Sequence, residues 1–208
     1  MIEKNVVLEN LKELRKISKK RSFTQSVDLI IVLKDIDPKK FRFSEEISLP
    51  HYPGKKRRVV IFSDTFKVEG TRTITSAELK ELEGKKKESR KLAKSFDFAL
   101  AEPKLMTLIG RILGPFLGPK GKMPKIITDE RGLKDRVKNL EKGTRIRSRG
   151  SLSLQCVVGN EKMSDEEIAE NIVTVLENVV SKLPEGERNI KKILIKFTMS
   201  PPVEVKMR

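Results

Sequence analysis

The alternation of apolar and polar positions along the chain sorts it into helices and strands. Val7, Leu11 and Leu14 repeat at helical spacing and predict a helix over 6–16. Val27–Leu33 is strand-like, with Leu29, Ile31 and Leu33 on one face, and Ile47–Leu49 reads as its hairpin partner, ended by Pro50. Val59–Phe62 is apolar at every position, which suits a parallel strand covered on both faces. Thr75-x-x-Glu78 is a capping-box pattern that opens a helix. The 80–94 stretch carries both signs of charge and reads as a solvated helix face. Phe96–Leu100 is a second buried strand, and Pro103 sits where a helix begins, with Leu105, Met106, Ile109, Ile112 and Leu113 on its apolar side.

Residues 110–124 hold four glycines and three prolines with basic residues and no acid. That composition predicts an irregular, exposed, basic loop that ends the preceding helix. Thr144–Gly150 and Ser151–Val158 read as two strands turning at Gly150. Ser164-x-x-Glu167 is a second capping box. It opens a helix whose one face is Ile168, Ile172, Val175, Leu176, Val179 and Leu183, stopped by Pro184 and Gly186. Ile190–Phe197 is the last strand, broken by Thr198–Pro202.

An αββ segment thus begins the chain, a ββαβ segment ends it, and a strand–helix–strand–helix unit lies between. The fold class is α/β with two domains. Residues 1–50 and 144–208 form a discontinuous α+β domain, and 51–143 form an inserted α/β domain. The chain crosses between them near residues 51 and 143, a double crossing that permits rigid-body opening.

Charge turns this architecture toward a partner class. The 208 residues carry 45 Lys and Arg against 29 Asp and Glu, a formal net charge of +16 and a pI near 9.9. Such a balance points to a polyanion, first to nucleic acid. Basic clusters fall at 15–21, 55–58, 120–125 and 145–149. Arg145, Arg147 and Arg149 alternate, so they share a strand face that belongs in water or against phosphate. Trp is absent and Tyr occurs once, which argues against a stacking platform of several aromatics. No apolar run is long enough for a membrane helix, and the first residues do not read as a signal peptide.

Catalytic and cofactor readings find little support. Gly114-x-x-x-Gly118 invites a phosphate-loop reading, but Pro119-Lys120-Gly121 stands where Gly-Lys-Ser/Thr is required, and the segment follows a helix instead of a strand. No dinucleotide fingerprint follows either buried strand. Cys156 lies in an apolar strand and reads as a core residue. His51, the only histidine, sits between prolines and reads as a turn residue with no metal-ligand companion. The expectation is a non-enzyme with no metal and no cofactor.

Separated stretches then carry a resemblance. Arg21–Asp28, the Leu49-Pro-His51 turn, Leu117–Pro124, Val158-Gly-Asn-Glu-Lys-Met163 and Lys196-Phe-Thr-Met199 stand in the order and spacing of one family. Over essentially its whole length the chain resembles the ribosomal protein L-one family, archaeal in wording, whose members sit in the side stalk of the large ribosomal subunit. The resemblance implies a split β-α-β domain with an inserted three-layer, Rossmann-like α/β domain. It implies binding to large-subunit (23S-type) rRNA, help in releasing exit-site tRNA, and translational repression through the protein's own mRNA. It also implies a cytoplasmic location in the large ribosomal subunit, and a monomer when free of the ribosome.

Carried over residue by residue, the RNA surface falls on Phe23, Gln25, Ser26, Lys196, Thr198, Met199 and Ser200, with Arg149 and Gln155 as looser matches. Lys120, Lys122 and Lys125 form a basic loop whose role the resemblance leaves open. Ser200 stands where the family usually has Gly, so a positive φ or very close RNA approach there would be disturbed. Gly150-Ser151 replaces a frequent Asp-Lys. Two rivals remain: an RNA-modifying enzyme on an α/β scaffold, and a basic scaffold protein for acidic partners.

Overall fold

The computed structural model describes residues 4–38, 41–129, 131–148 and 150–205. In chain order the elements are α1 (Lys4–Ile17), β1 (Ser26–Leu33), β2 (Ser44–Ser48), β3 (Val59–Phe62), β4 (Arg72–Ile74), α2 (Ser76–Glu81), α3 (Lys86–Ser95), β5 (Phe98–Ala101) and α4 (Pro103–Ile112). Then come α5 (Gly114–Leu117), β6 (Lys125–Ile126), α6 (Leu133–Glu141), β7 (Gly143–Arg147), β8 (Ser153–Asn160), α7 (Asp165–Val180), a 3-10 turn at Gly186–Asn189, β9 (Ile190–Phe197) and β10 (Val203–Val205). The fold is mixed α/β, and the chain divides into two compact units, one of residues 1–56 and 142–208 and one of residues 57–141.

Unit 1 is built on an antiparallel sheet of order β10-β9-β1-β8. β1 alternates buried and half-buried positions, so Val27, Leu29, Ile31 and Leu33 face one core. The apolar stripes of α1 (Val7, Leu11, Leu14) and α7 (Ile168, Ile172, Val175, Val179) close that core. The Ser164 capping box forms in both directions, with Glu167 N–H donating to Ser164 Oγ at 3.2 Å and Ser164 N–H to Glu167 Oε2 at 3.1 Å. The hairpin expected between β1 and residues 47–49 does not form. Both edges of β1 are taken by β8 and β9, and β2 pairs instead with β7 in a separate two-stranded ribbon.

Unit 2 is a parallel sheet of order β4-β3-β5-β6 covered on both faces. Val60, Phe62, Ala99 and Ala101 face α2 to α5, while Val59, Ile61, Phe98 and Leu100 face α6. That two-sided burial is why β3 and β5 are apolar at every position. The glycine-proline stretch is more ordered than its composition predicts. α4 continues to Ile112 and α5 adds a further turn, burying Ile112, Leu113 and Leu117; only the segment from Gly118 onward is loop. Pro115 is tolerated because it falls in the first turn of α5, where no backbone donor is needed. Gly84, at φ +81°, separates α2 from α3 within the charged stretch.

Candidate nucleic-acid interface

At one end of the unit 1 sheet, the start of β1, the end of β9 and the turn after β8 come together. Register places Ser26 opposite Asn160 and Val27 opposite Phe197. Beyond this pairing, Thr198 N–H donates to Ser26 O at 3.1 Å and Ser26 N–H donates to Thr198 Oγ1 at 3.1 Å. Phe23 is 49% exposed and Met199 is 58% exposed. Lys16 in the last turn of α1, and Lys19, Lys20 and Arg21 between α1 and β1, are exposed as well. Hydroxyl, apolar and cationic groups thus share this end of the sheet on a fixed backbone.

The fixing comes from residues that sequence reasoning put in contact with RNA. Gln25 is only 1% exposed, so its side chain is held inside the protein. Its Oε1 accepts Met199 N–H at 3.1 Å, and its Nε2 donates to Lys19 O at 3.3 Å and to Glu161 Oε2 at 3.4 Å. Ser200, 8% exposed, is likewise a brace: its Oγ accepts Phe197 N–H at 2.9 Å and donates to Pro201 O at 2.9 Å. Among the described non-glycine residues only Asp35 has positive φ, so serine at 200 meets no backbone strain.

Arg15 behaves the same way. It belongs to the basic cluster at 15–21, yet Nε donates to Asp165 Oδ1 at 2.6 Å. Its other nitrogens donate to Glu161 O at 2.9 Å and Met163 O at 2.8 Å. Its guanidinium also lies 6.0 Å from the centre of the Phe197 ring. Arg15 ties α1 to the turn after β8, a role invisible in sequence because its partners lie far along the chain.

Lys196 projects from the outer face of the sheet, in register with Asp28. Burial raises the Asp28 pKa, an effect that Lys196 opposes. Gln155 is exposed on the same outer face, opposite Ile30 and one cross-strand pair further from the sheet end. Cys156 points inward, as its apolar setting predicted. Burial pushes its thiol up to about 12, with Asp28 adding to the shift, so it is not a nucleophile at neutral pH. Arg149 lies outside the described residues. Arg145 is paired within the protein: Glu46 stands opposite it on β2 and Oε1 accepts from its Nη2 at 2.7 Å.

In unit 2 the basic loop does not act as one group. Lys120 is exposed, but Lys122 donates to Phe96 O, lies 3.8 Å from Asp97 and sits 5.7 Å from the Phe96 ring centre. It fastens the loop to the segment between α3 and β5. Lys125 is exposed on β6. The crevice where α/β sheets take ligands, at the C-terminal ends of β3 and β5, is filled by the protein itself. Ser63 and Thr65 hydroxyls and the Thr65 N–H (3.1 Å) all donate to Glu102 Oε1. Burial alone would raise the Glu102 pKa, but these hydrogen bonds together leave it lowered. A carboxylate held ionised at that point repels a phosphate.

Comparison with known proteins decides the family. The model of the ribosomal protein L1p/L10e family matches residues 14–201. The chain belongs to that family. It is 43% identical over 212 residues to the large ribosomal subunit protein uL1 of Pyrococcus abyssi, covering 98% of this chain and 97% of that one. The uL1 protein of Methanocaldococcus jannaschii is 40% identical over 99% of this chain and 97% of its own. That of Hyperthermus butylicus is 38% identical over 100% and 99%. These relatives carry the names of ribosomal proteins, not of enzymes. Family membership thus sets aside the RNA-modifying enzyme.

Proposed function

We infer that the chain is a large-subunit ribosomal protein that binds rRNA through the sheet end of unit 1. The observation that carries this reading is the pairing of exposed Phe23, Thr198 and Met199 with a backbone braced from behind by Gln25 and Ser200. Folded RNA is read through shape, 2′-hydroxyls and unstacked bases, and a small rigid surface of this kind suits such features. The lysines of 16–20 and Arg21 supply phosphate contacts that raise affinity without specifying sequence. On this reading residues 1–56 and 142–208 are the RNA-binding domain and 57–141 the insertion. Its finer parts are an action on exit-site tRNA, repression of the protein's own mRNA through the same surface, and residence in the cytoplasmic large subunit.

Filter binding to the stalk rRNA fragment and to a scrambled RNA tests it. Phe23→Ala should weaken cognate binding roughly tenfold, within the about 1–3 kcal/mol that base stacking on an aromatic ring contributes, and Met199→Ala should weaken it through lost apolar contact, both with thermal unfolding unchanged. Thr198→Ser should bind as the parent does. If the parent protein holds the stalk fragment no tighter than the scrambled RNA, the reading is wrong. Competition by the leader of its own mRNA tests the repression.

A further inference from the structure

We propose that the outward face of α3 in unit 2 is a second RNA-contact surface, one that grips the sugar-phosphate backbone without regard to sequence. The inference rests on the RNA-binding reading of unit 1 and adds a site to it.

By sequence, the charged stretch mixes both signs. The helix gathers most of its cations on one arc, with Lys91 at the border of the acids. α3 buries Ser89, Leu92 and Ala93, and at about 100° per residue the opposite arc holds Lys87, Arg90, Lys91 and Lys94. All four are exposed. The one acid of the helix, Glu88, falls on the flank beside Glu78 and Glu81, which with Lys91 line an adjoining open cavity. No ion pair among the described residues engages Lys87, Arg90, Lys91 or Lys94. Arg90 lies instead 5.9 Å from the Phe116 ring centre, which steadies its guanidinium at the surface. Arg58 meets the end of the helix, its Nη2 donating to Lys94 O at 3.1 Å, but its Nε lies 3.6 Å from Asp97, so it ties the helix end to the following segment and is not counted in the open face.

Helix stability does not account for this pattern. Cations at a helix C-terminus complement the dipole, which explains Lys94 and Arg58. Lys85, Lys86 and Lys87 stand at the N-terminus, where positive charge opposes the dipole; Glu88, 3.9 Å from Lys85, offsets one of these charges and leaves Lys86 and Lys87 uncompensated among the described residues. A run that works against its own helix is expected where a partner needs it. The partner is a polyanion, and the absence of an apolar anchor separates RNA from protein. None of the exposed large hydrophobic residues (Ile17, Phe23, Tyr52, Met123, Ile126, Met199) lies on α3, whereas protein interfaces centre on such anchors.

The test uses the full-length protein with alanine, the best helix former, at three positions: Lys87→Ala, Lys91→Ala and Lys94→Ala together. A matched variant removes the same charge from the exposed face of α6: Lys134→Ala, Arg136→Ala and Lys138→Ala. Affinity for a long duplex RNA of unrelated sequence is titrated across salt concentrations. The α3 variant should lower the log–log salt slope by about two, at roughly 0.7–0.9 for each phosphate that is no longer neutralised, while the α6 variant leaves it near the parent value. Discrimination between the stalk fragment and scrambled RNA should be the same in all three proteins. An unchanged slope in the α3 variant, or an equal fall in both variants, overturns the proposal. So does loss of binding to polyglutamate alone, which would assign the face to acidic protein. A parent protein that binds no RNA would instead overturn the reading of unit 1.

Discussion

Gln25 shows how far a residue's role can stand from its apparent chemistry. Its type and its place beside Ser26 suit a base contact, yet the folded chain buries it and commits its amide to three backbone and side-chain partners. Gln25→Ala should leave Met199 N–H and Lys19 O without that partner and lower stability by about 1–3 kcal/mol, measured by urea unfolding. Binding should fall with it, because the turn carrying Met199 loses its support. Gln25→Glu keeps the acceptor but sets a second carboxylate beside Glu161, so it should recover only part of the stability. The exposed pair Phe23 and Met199 were legible only through the family resemblance that carried them over. The buried braces were not, since burial depends on what the distant Glu161 turn and β9 bring to them.

Among the elements, the strands and helices with clear periodicity form where the pattern puts them, and the short ones were missed. β4, β6 and β10 have three, two and three residues, too few to show a period. α6 shows only Leu133 and Val137 as buried apolar positions among charges, so its pattern fades. The crevice at β3 and β5 gives a prediction at this scale. The Glu102 pKa is lowered from its ordinary 4.5, so its ionised form is favoured by folding. Its contribution is therefore full above about pH 4.5 and lost as pH falls through the lowered folded value. Glu102→Gln should be less stable than the parent protein at neutral pH, and the gap should narrow below that point. Thermal unfolding followed from pH 7 to pH 3 measures it. A gap that does not change with pH would mean that charge has no part in the Ser63 and Thr65 cluster.

For the whole molecule, the RNA residues of the proposed site all belong to unit 1, so this unit should carry specificity alone. Replacing 57–141 by a short Gly/Ser link should leave the ratio of stalk to scrambled RNA affinity within about threefold, and lower the salt slope by the two or so units assigned to α3. Circular dichroism checks that the shortened protein folds, and filter binding reads the ratio. A collapse of the ratio in a folded protein would put the recognition surface on the insertion. The passage points at 56/57 and 141/142 lie close to the Gly/Pro-rich segment after Pro50 and to Gly143, which is why composition hinted at them.

Sequence alone determined the α/β class, the segments that build the regular core, the basic character and the family motifs, because these rest on local period, composition and wording. Tertiary structure decided which strand pairs with which: β8 and β9 occupy both edges of β1, and β2 pairs with β7. It also decided which charges are at work. Arg15, Arg145 and Lys122 looked like their exposed neighbours and became internal ties, because Asp165, Glu46 and Asp97 come to them only through the fold. A cation's sequence context does not say whether a carboxylate waits for it across the chain, and that is the difference between a brace and a surface open to RNA.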